Sequence, residues 1–219
     1  MSGSNRVEEL YQKLRGLTVE DAIRVEEQDR QFKALKRLYE RVKNPELFLK
    51  LTVINALLSY QLQMKGEDYW EKFSEFFSEK PEVDAFPEFL EKFNRRFLNA
   101  KLKRFEKVKR CVETLFKKHT VEEIGKNLKL LVEELSECLN QRKDAKTVVF
   151  AAKMFMYGYR IVFGKDPEGL EEIEIPLDSR LKKLLPSVKE WRELSERLSI
   201  PPIHLDALVW VPQNKPFNP

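Results

Sequence analysis

Two residues of this chain combine a reactive group with a helix start. Lys146 lies just inside a predicted apolar helix over residues 145–163, two positions after Asp144, which the pattern makes its N-cap. A helix N-terminus carries partial positive charge, so an acidic residue would serve stability better there. A lysine in that place is biased toward the neutral amine, the form that attacks an electrophilic carbon. An exposed lysine tolerated at small cost fits the same position. Asp178 follows 32 residues later, ahead of Ser179-Arg180-Leu181, and reads as the N-cap of a short helix. A capping carboxylate can also face a cleft, so the structural and chemical readings of Asp178 are compatible.

Other groups fall into register with these two. Phe150 lies one turn after Lys146 and Lys153 nearly one turn further, so the three share a helix face. Asp206 and Trp210 are likewise four apart. Each also has an ordinary reading as core or surface. The two cysteines, Cys111 and Cys138, are too few for a four-thiolate cluster and read as buried free thiols within amphipathic helices. With His119 and His204 far apart, no metal site and no cofactor is expected.

The elements that must position these groups are helical. Thr18, Asn44 and Thr120 are N-caps by type and spacing, with Asp21 and Glu123 at the capping-box position and Pro45 at N1. The pattern predicts a short helix over 5–15, then one from Val19 that continues or breaks before Phe32. The most apolar helix is predicted over 46–64, ended by Gly66, and another over 67–79. Pro87 opens a helix to about Leu98, and further helices follow over 100–118 and 121–139. After a tight turn at 140–144 come 145–163, ended by Gly164, and short helices after Asp178, over 186–198 and over 203–209. No strand pattern is present, so the fold class is all-α.

Composition agrees. Of 219 residues, 35% are charged and only seven are glycine, which suits helices with short connections and a Lys/Glu-rich, heat-adapted protein. No apolar run approaches membrane-spanning length and no leader pattern opens the chain, so a cytoplasmic protein with no membrane partner is expected. Without heptads, a monomer is expected. The net charge of +4 is unevenly spread: between Phe93 and His119 ten basic residues (Arg95, Arg96, Lys101, Lys103, Arg104, Lys107, Lys109, Arg110, Lys117 and Lys118) face only Glu106 and Glu113. That stretch suits a phosphate backbone, or a solvated helix face.

Helix, short hairpin, helix beginning with a lysine, then an aspartate at a later helix start: this order resembles the helix-hairpin-helix DNA glycosylase superfamily. Within it the chain is similar to the archaeal GO glycosylase (AGOG) family, through KTVVFAAK at 146–153, IPLD ending at Asp178 and DALVW at 206–210. The resemblance covers most of the chain. It implies a single helical unit over 1–219, with two subdomains, about 1–120 and 121–219, flanking a cleft. It also implies a bifunctional DNA glycosylase and abasic-site lyase acting on damaged DNA that contains 8-oxoguanine. Lys146 would be the nucleophile and Asp178 its carboxylate partner. Phe150 and Trp210 would sandwich the extruded base, and Gln31, Trp70, Lys153 and Asp206 would meet its edges. One departure is plain: the hairpin, Asn140-Gln-Arg-Lys-Asp144, has none of the glycines whose amides bind phosphate in the superfamily, leaving Arg142 and Lys143 to act by charge. The same fold acting on another damaged base, or a non-catalytic helical nucleic-acid-binding protein in which Lys146 contacts phosphate, are the alternatives.

Overall fold

The computed structural model describes residues 3–211. It is all-α: no strand occurs among the described residues, and none of their helices is long and apolar enough to cross a membrane. Helix α1 spans Gly3–Leu14, α2 Val19–Gln28, α3 Arg30–Val42, α4 Pro45–Leu57, α5 Gly66–Glu79, α6 Phe86–Phe93 and α7 Leu98–Lys118. Then come α8 Val121–Lys126, α9 Lys129–Leu139, α10 Lys146–Phe163, α11 Ser179–Leu184, α12 Val188–Leu198 and α13 Pro202–Leu208.

Most boundaries follow from local chemistry. Thr18 and Asp21 form the expected capping box, with Thr18 N–H donating to Asp21 Oδ2 at 2.8 Å. The break between α2 and α3 falls at Asp29, which closes one helix and caps the next by accepting from Gln31 N–H at 2.8 Å. Gly164 ends α10 in left-handed backbone, φ 73°.

Four expectations are corrected. First, α4 stops at Leu57 rather than near Met64, and Gly66 opens α5 instead of ending α4. Carbonyls that a longer helix would use are taken by distant side chains: Arg104 Nε donates to Leu57 O at 3.0 Å, and Asn94 Nδ2 to Leu58 O at 2.9 Å. Second, the helix expected over 121–139 is two. Glu168 O accepts from Leu128 N–H at 2.9 Å and Glu168 N–H donates to Gly125 O at 2.7 Å, so the 165–169 loop replaces the intrahelical bonds. Third, Asp144 does not cap α10. Ala145 is the N-cap, with no side-chain bond, and Asp144 instead accepts from Arg142 at 2.9 and 3.1 Å. Fourth, Cys111 and Cys138 are not free thiols but a disulfide joining α7 to α9, and Cys138 is exposed. The two helices lie side by side with these Cα atoms 5.8 Å apart, within bridging distance.

From Leu51 to Leu57 helix α4 is buried on every side, as a helix surrounded by others must be. Helix α10 crosses it closely because Gly158 has no side chain: a Cβ there would lie 2.7 Å from Leu49 Cδ2. Around this pair gathers the larger apolar cluster, with the rings of Phe73, Phe77, Phe86 and Phe89. A smaller cluster unites the two ends of the chain, Val7, Leu14 and Ala22 packing with Trp191, Leu194 and Leu205. The Trp191 indole is fully buried and donates to Leu185 O at 2.9 Å.

Candidate active site

A cleft of about 760 Å³ is walled by α2, α3, the 58–65 connection, the start of α5, α10, α11 and α13. All eight residues singled out in the sequence line it: Gln31, Trp70, Lys146, Phe150, Lys153, Asp178, Asp206 and Trp210. A second cavity of about 620 Å³, between α2, α3 and the end of α10, holds none of them.

One face of α10 supplies four of the lining groups at helical spacing, Lys146, Phe150, Lys153 and Tyr157. Lys146 is the first residue of the helix. Its side chain is exposed and makes no hydrogen bond or ion pair among the described residues. Phe150 meets Trp70 edge to face, ring centroids 6.0 Å apart. Trp70 is at once a core residue, fully buried beside Phe73, and part of the cleft wall.

Deeper in, Lys153 Nζ donates to Asp206 Oδ2 at 3.1 Å, and both side chains are buried. Burial opposes the charge on Lys153, but Asp206, Asp29 and Glu26 outweigh it, and its pKa sits above the usual lysine value. Burial likewise pushes Asp206 up, and Lys153, the Trp210 N–H and Arg180 overcome it, so its pKa is lowered. Trp210 Nε1 donates to Asp206 Oδ1 at 2.9 Å, leaving the indole 49% exposed at the mouth.

Asp178 caps α11 as expected, accepting from Leu181 N–H at 2.9 Å, and its other oxygen accepts from Arg180 Nη2 at 2.9 Å. Arg180 lies over the Trp210 ring, 5.1 Å from its centroid, and so links Asp178 to the aromatic wall. The Gln31 amide abuts Gly66, where a Cβ would lie 3.2 Å from Gln31 Nε2, so a side chain at 66 would crowd it.

Several lining residues were not foreseen. Tyr157, whose hydroxyl donates to Asp29 Oδ2 at 3.2 Å, was within reach of the α10 periodicity. Arg180 adjoins the Asp178 cap. Ser59 and Leu62 had no signal, because the apolar pattern continued α4 through them.

The sequence model of the AGOG family, described as N-glycosylase/DNA lyase, matches residues 11–217. The chain belongs to this family. AGOG relatives include the N-glycosylase/DNA lyase of Thermococcus kodakarensis, 37% identical over 222 residues, 95% of this chain and 84% of that protein. That of Nanoarchaeum equitans is 40% identical over 201 residues, 90% of this chain and 86% of the relative. The AGOG fold is shared with a crystal structure of Pa-AGOG, an 8-oxoguanine DNA glycosylase from Pyrobaculum aerophilum in complex with 8-oxoguanosine. The TM-score is 0.77 at 25% identity, over 94% of this chain and 87% of that one.

Proposed function

We propose that this AGOG member excises 8-oxoguanine from DNA through a Schiff base on Lys146 and then nicks the strand. The observation that carries the reading is the convergence in one nucleotide-sized cleft of an unpaired amine, a carboxylate, two aromatic walls and a buried ion pair. The Pa-AGOG complex, with 8-oxoguanosine bound to the same fold, supports the substrate.

In this reading the damaged nucleotide leaves the duplex and its base enters between Phe150 and Trp210, where stacking holds it. Lys153, Asp206, Gln31 and Trp70 offer donors and acceptors to its edges. Asp206 holds Lys153 charged and fixes the Trp210 ring, so the pocket is set before substrate arrives. The Lys146 lone pair attacks C1′ as the bond from C1′ to the base nitrogen breaks. The Asp178 carboxylate offsets positive charge building on the sugar. Loss of the amine proton and opening of the ring yield the imine, whose C2′ proton is then removed as the 3′ phosphate departs.

The surface beside the cleft suits DNA. Arg95, whose N–H donates to Gln63 Oε1 at 2.6 Å on the connection after α4, and Arg96 directly precede Phe97, which is 67% exposed in left-handed backbone, φ 55°. An apolar side chain exposed in that conformation is unfavourable for folding on both counts, and it suits insertion between bases where a nucleotide has left.

The test is excision and nicking on a duplex with one 8-oxoguanine and on its guanine counterpart, with Lys146→Gln beside the wild type. The reading expects base release and a nick with the damaged duplex alone, and neither with Lys146→Gln, whose DNA binding stays close to wild type. Weakened binding with excision intact would favour a phosphate contact at Lys146 instead.

A further inference from the structure

Arg104, on α7, faces the end of α4, the hairpin and the start of α10 at once. Its Nε donates to Leu57 O at 3.0 Å, and its Nη2 to Gln141 Oε1 at 3.0 Å and Thr147 Oγ1 at 3.2 Å. The guanidinium lies 5.7 Å from the Tyr60 ring centroid, and Lys101 Nζ lies 4.9 Å from the same centroid. Lys101 is fully buried and donates to Gln61 O at 3.2 Å and to Asn94 Oδ1. Neither cation has an ion pair among the described residues, and every acceptor around them is neutral.

Two sheltered cations around one ring, without a carboxylate, are costly for folding alone. Burial lowers the pKa of Arg104, and it brings Lys101 down to about 8, with Arg96 adding to the effect. The hairpin's own cations differ. Arg142 is paired with Asp144 at 2.9 Å, and Lys143 with Glu133 at 3.6 Å. Further along α7, Lys109 is paired with Asp84 and Lys118 with Glu134. The chain thus neutralises several surface cations and leaves this sheltered pair without counter-charge.

We propose that Arg104 binds, through Nη1, a backbone phosphate beside the extruded nucleotide, with Lys101 adding positive potential from behind. This rests on the reading that the cleft takes a nucleotide of DNA. Three bonds hold the fork from behind, and Nη1 is bound to nothing among the described residues. A fork already fixed loses little freedom on meeting an anion, and its planar donors match phosphate. Thr147 follows Lys146 in the chain, so a phosphate held here brings its sugar toward the amine. The contact supplies what the glycine-free hairpin does not offer through its amides.

The test is binding to a duplex carrying a tetrahydrofuran abasic analogue, measured against salt concentration for the wild type and Arg104→Met. The expected result is binding weakened about tenfold or more at low salt, with the slope of log K against log salt reduced by about one. A second arm replaces single phosphates near the analogue by methylphosphonate. One such replacement is expected to weaken the wild type and leave Arg104→Met nearly unaffected. Should Arg104→Met fail to fold, Arg104→Lys, which keeps charge and loses the fork, goes through the same phosphate scan and should lose the sensitivity at that one position. An unchanged slope, or equal sensitivity to every replacement in wild type and variant, overturns the proposal and leaves Arg104 as a brace between helices. A wild type that binds this duplex yet releases no base from a duplex carrying one 8-oxoguanine counts against the Lys146 chemistry, not against the phosphate contact.

Discussion

Lys153 Nζ and Asp206 Oδ2 meet at 3.1 Å across a sequence separation of 53 residues, inside the wall of the cleft. The pair joins α10 to α13, and the second Asp206 oxygen holds the Trp210 indole. One carboxylate therefore sets both a charge and a ring that face the proposed base pocket.

Removing one partner leaves the other charge buried and unpaired. Asp206→Asn and Lys153→Met are each expected to lower unfolding free energy by about 3–5 kcal/mol. The double variant Lys153→Met/Asp206→Asn should lose clearly less than the sum of the two single changes, as read by urea denaturation. Additive losses would mean the two groups do not depend on each other.

Asp178→Asn separates capping from chemistry. Asparagine caps about as well as aspartate, and the exposed pair with Arg180 contributes little, so stability should change by less than about 1 kcal/mol. Excision is expected to fall about a hundredfold or more, the usual scale for losing a group that stabilises developing charge. Near-normal single-turnover excision would leave Asp178 with its cap role alone.

The two ends of the site differed in how far the sequence disclosed them. Lys146, Phe150 and Lys153 follow one helical period, and Asp178 announces itself as a cap, so local pattern placed them on the right elements. The end of α4 was not legible, because it is decided by Arg104 and Asn94 reaching the Leu57 and Leu58 carbonyls from far along the chain. Ser59 and Leu62 were lost with it. The disulfide was hidden for the same reason: 27 residues of separation say nothing about the packing of α7 on α9.

That disulfide should stabilise by constraining the unfolded chain. For a loop of this length the chain-entropy relation gives about 3.5 kcal/mol. Cys111→Ser/Cys138→Ser is expected to unfold at lower temperature in calorimetry, with excision at moderate temperature retained because neither cysteine lines the cleft. An unchanged unfolding temperature would contradict this.

His204 is buried between Glu26 and Asp166, with Nδ1 2.7 Å from Glu26 Oε2 and Nε2 3.4 Å from Asp166 Oδ2. Glu26 also accepts from Arg160 Nη2 at 2.7 Å. Burial disfavours the imidazolium, but the two carboxylates outweigh it and raise the His204 pKa to about 9. A pKa raised on folding stabilises fully below the unfolded value, near 6.5, and that contribution is lost as pH climbs through about 9. Stability should therefore decline from pH 7 to 9.5 by up to a few kcal/mol, and His204→Gln should flatten the decline. Parallel profiles for wild type and variant would remove His204 as the cause.

The central claim is that Lys146 forms the covalent bond to the sugar. Borohydride reduction during reaction with a duplex carrying one 8-oxoguanine, followed by digestion and mass spectrometry of the cross-linked peptide, tests it most directly. The account predicts a stable protein–DNA adduct on Lys146, absent with undamaged DNA and absent with Lys146→Gln. An adduct on another lysine, or damage-specific base release with no adduct at all, would contradict it.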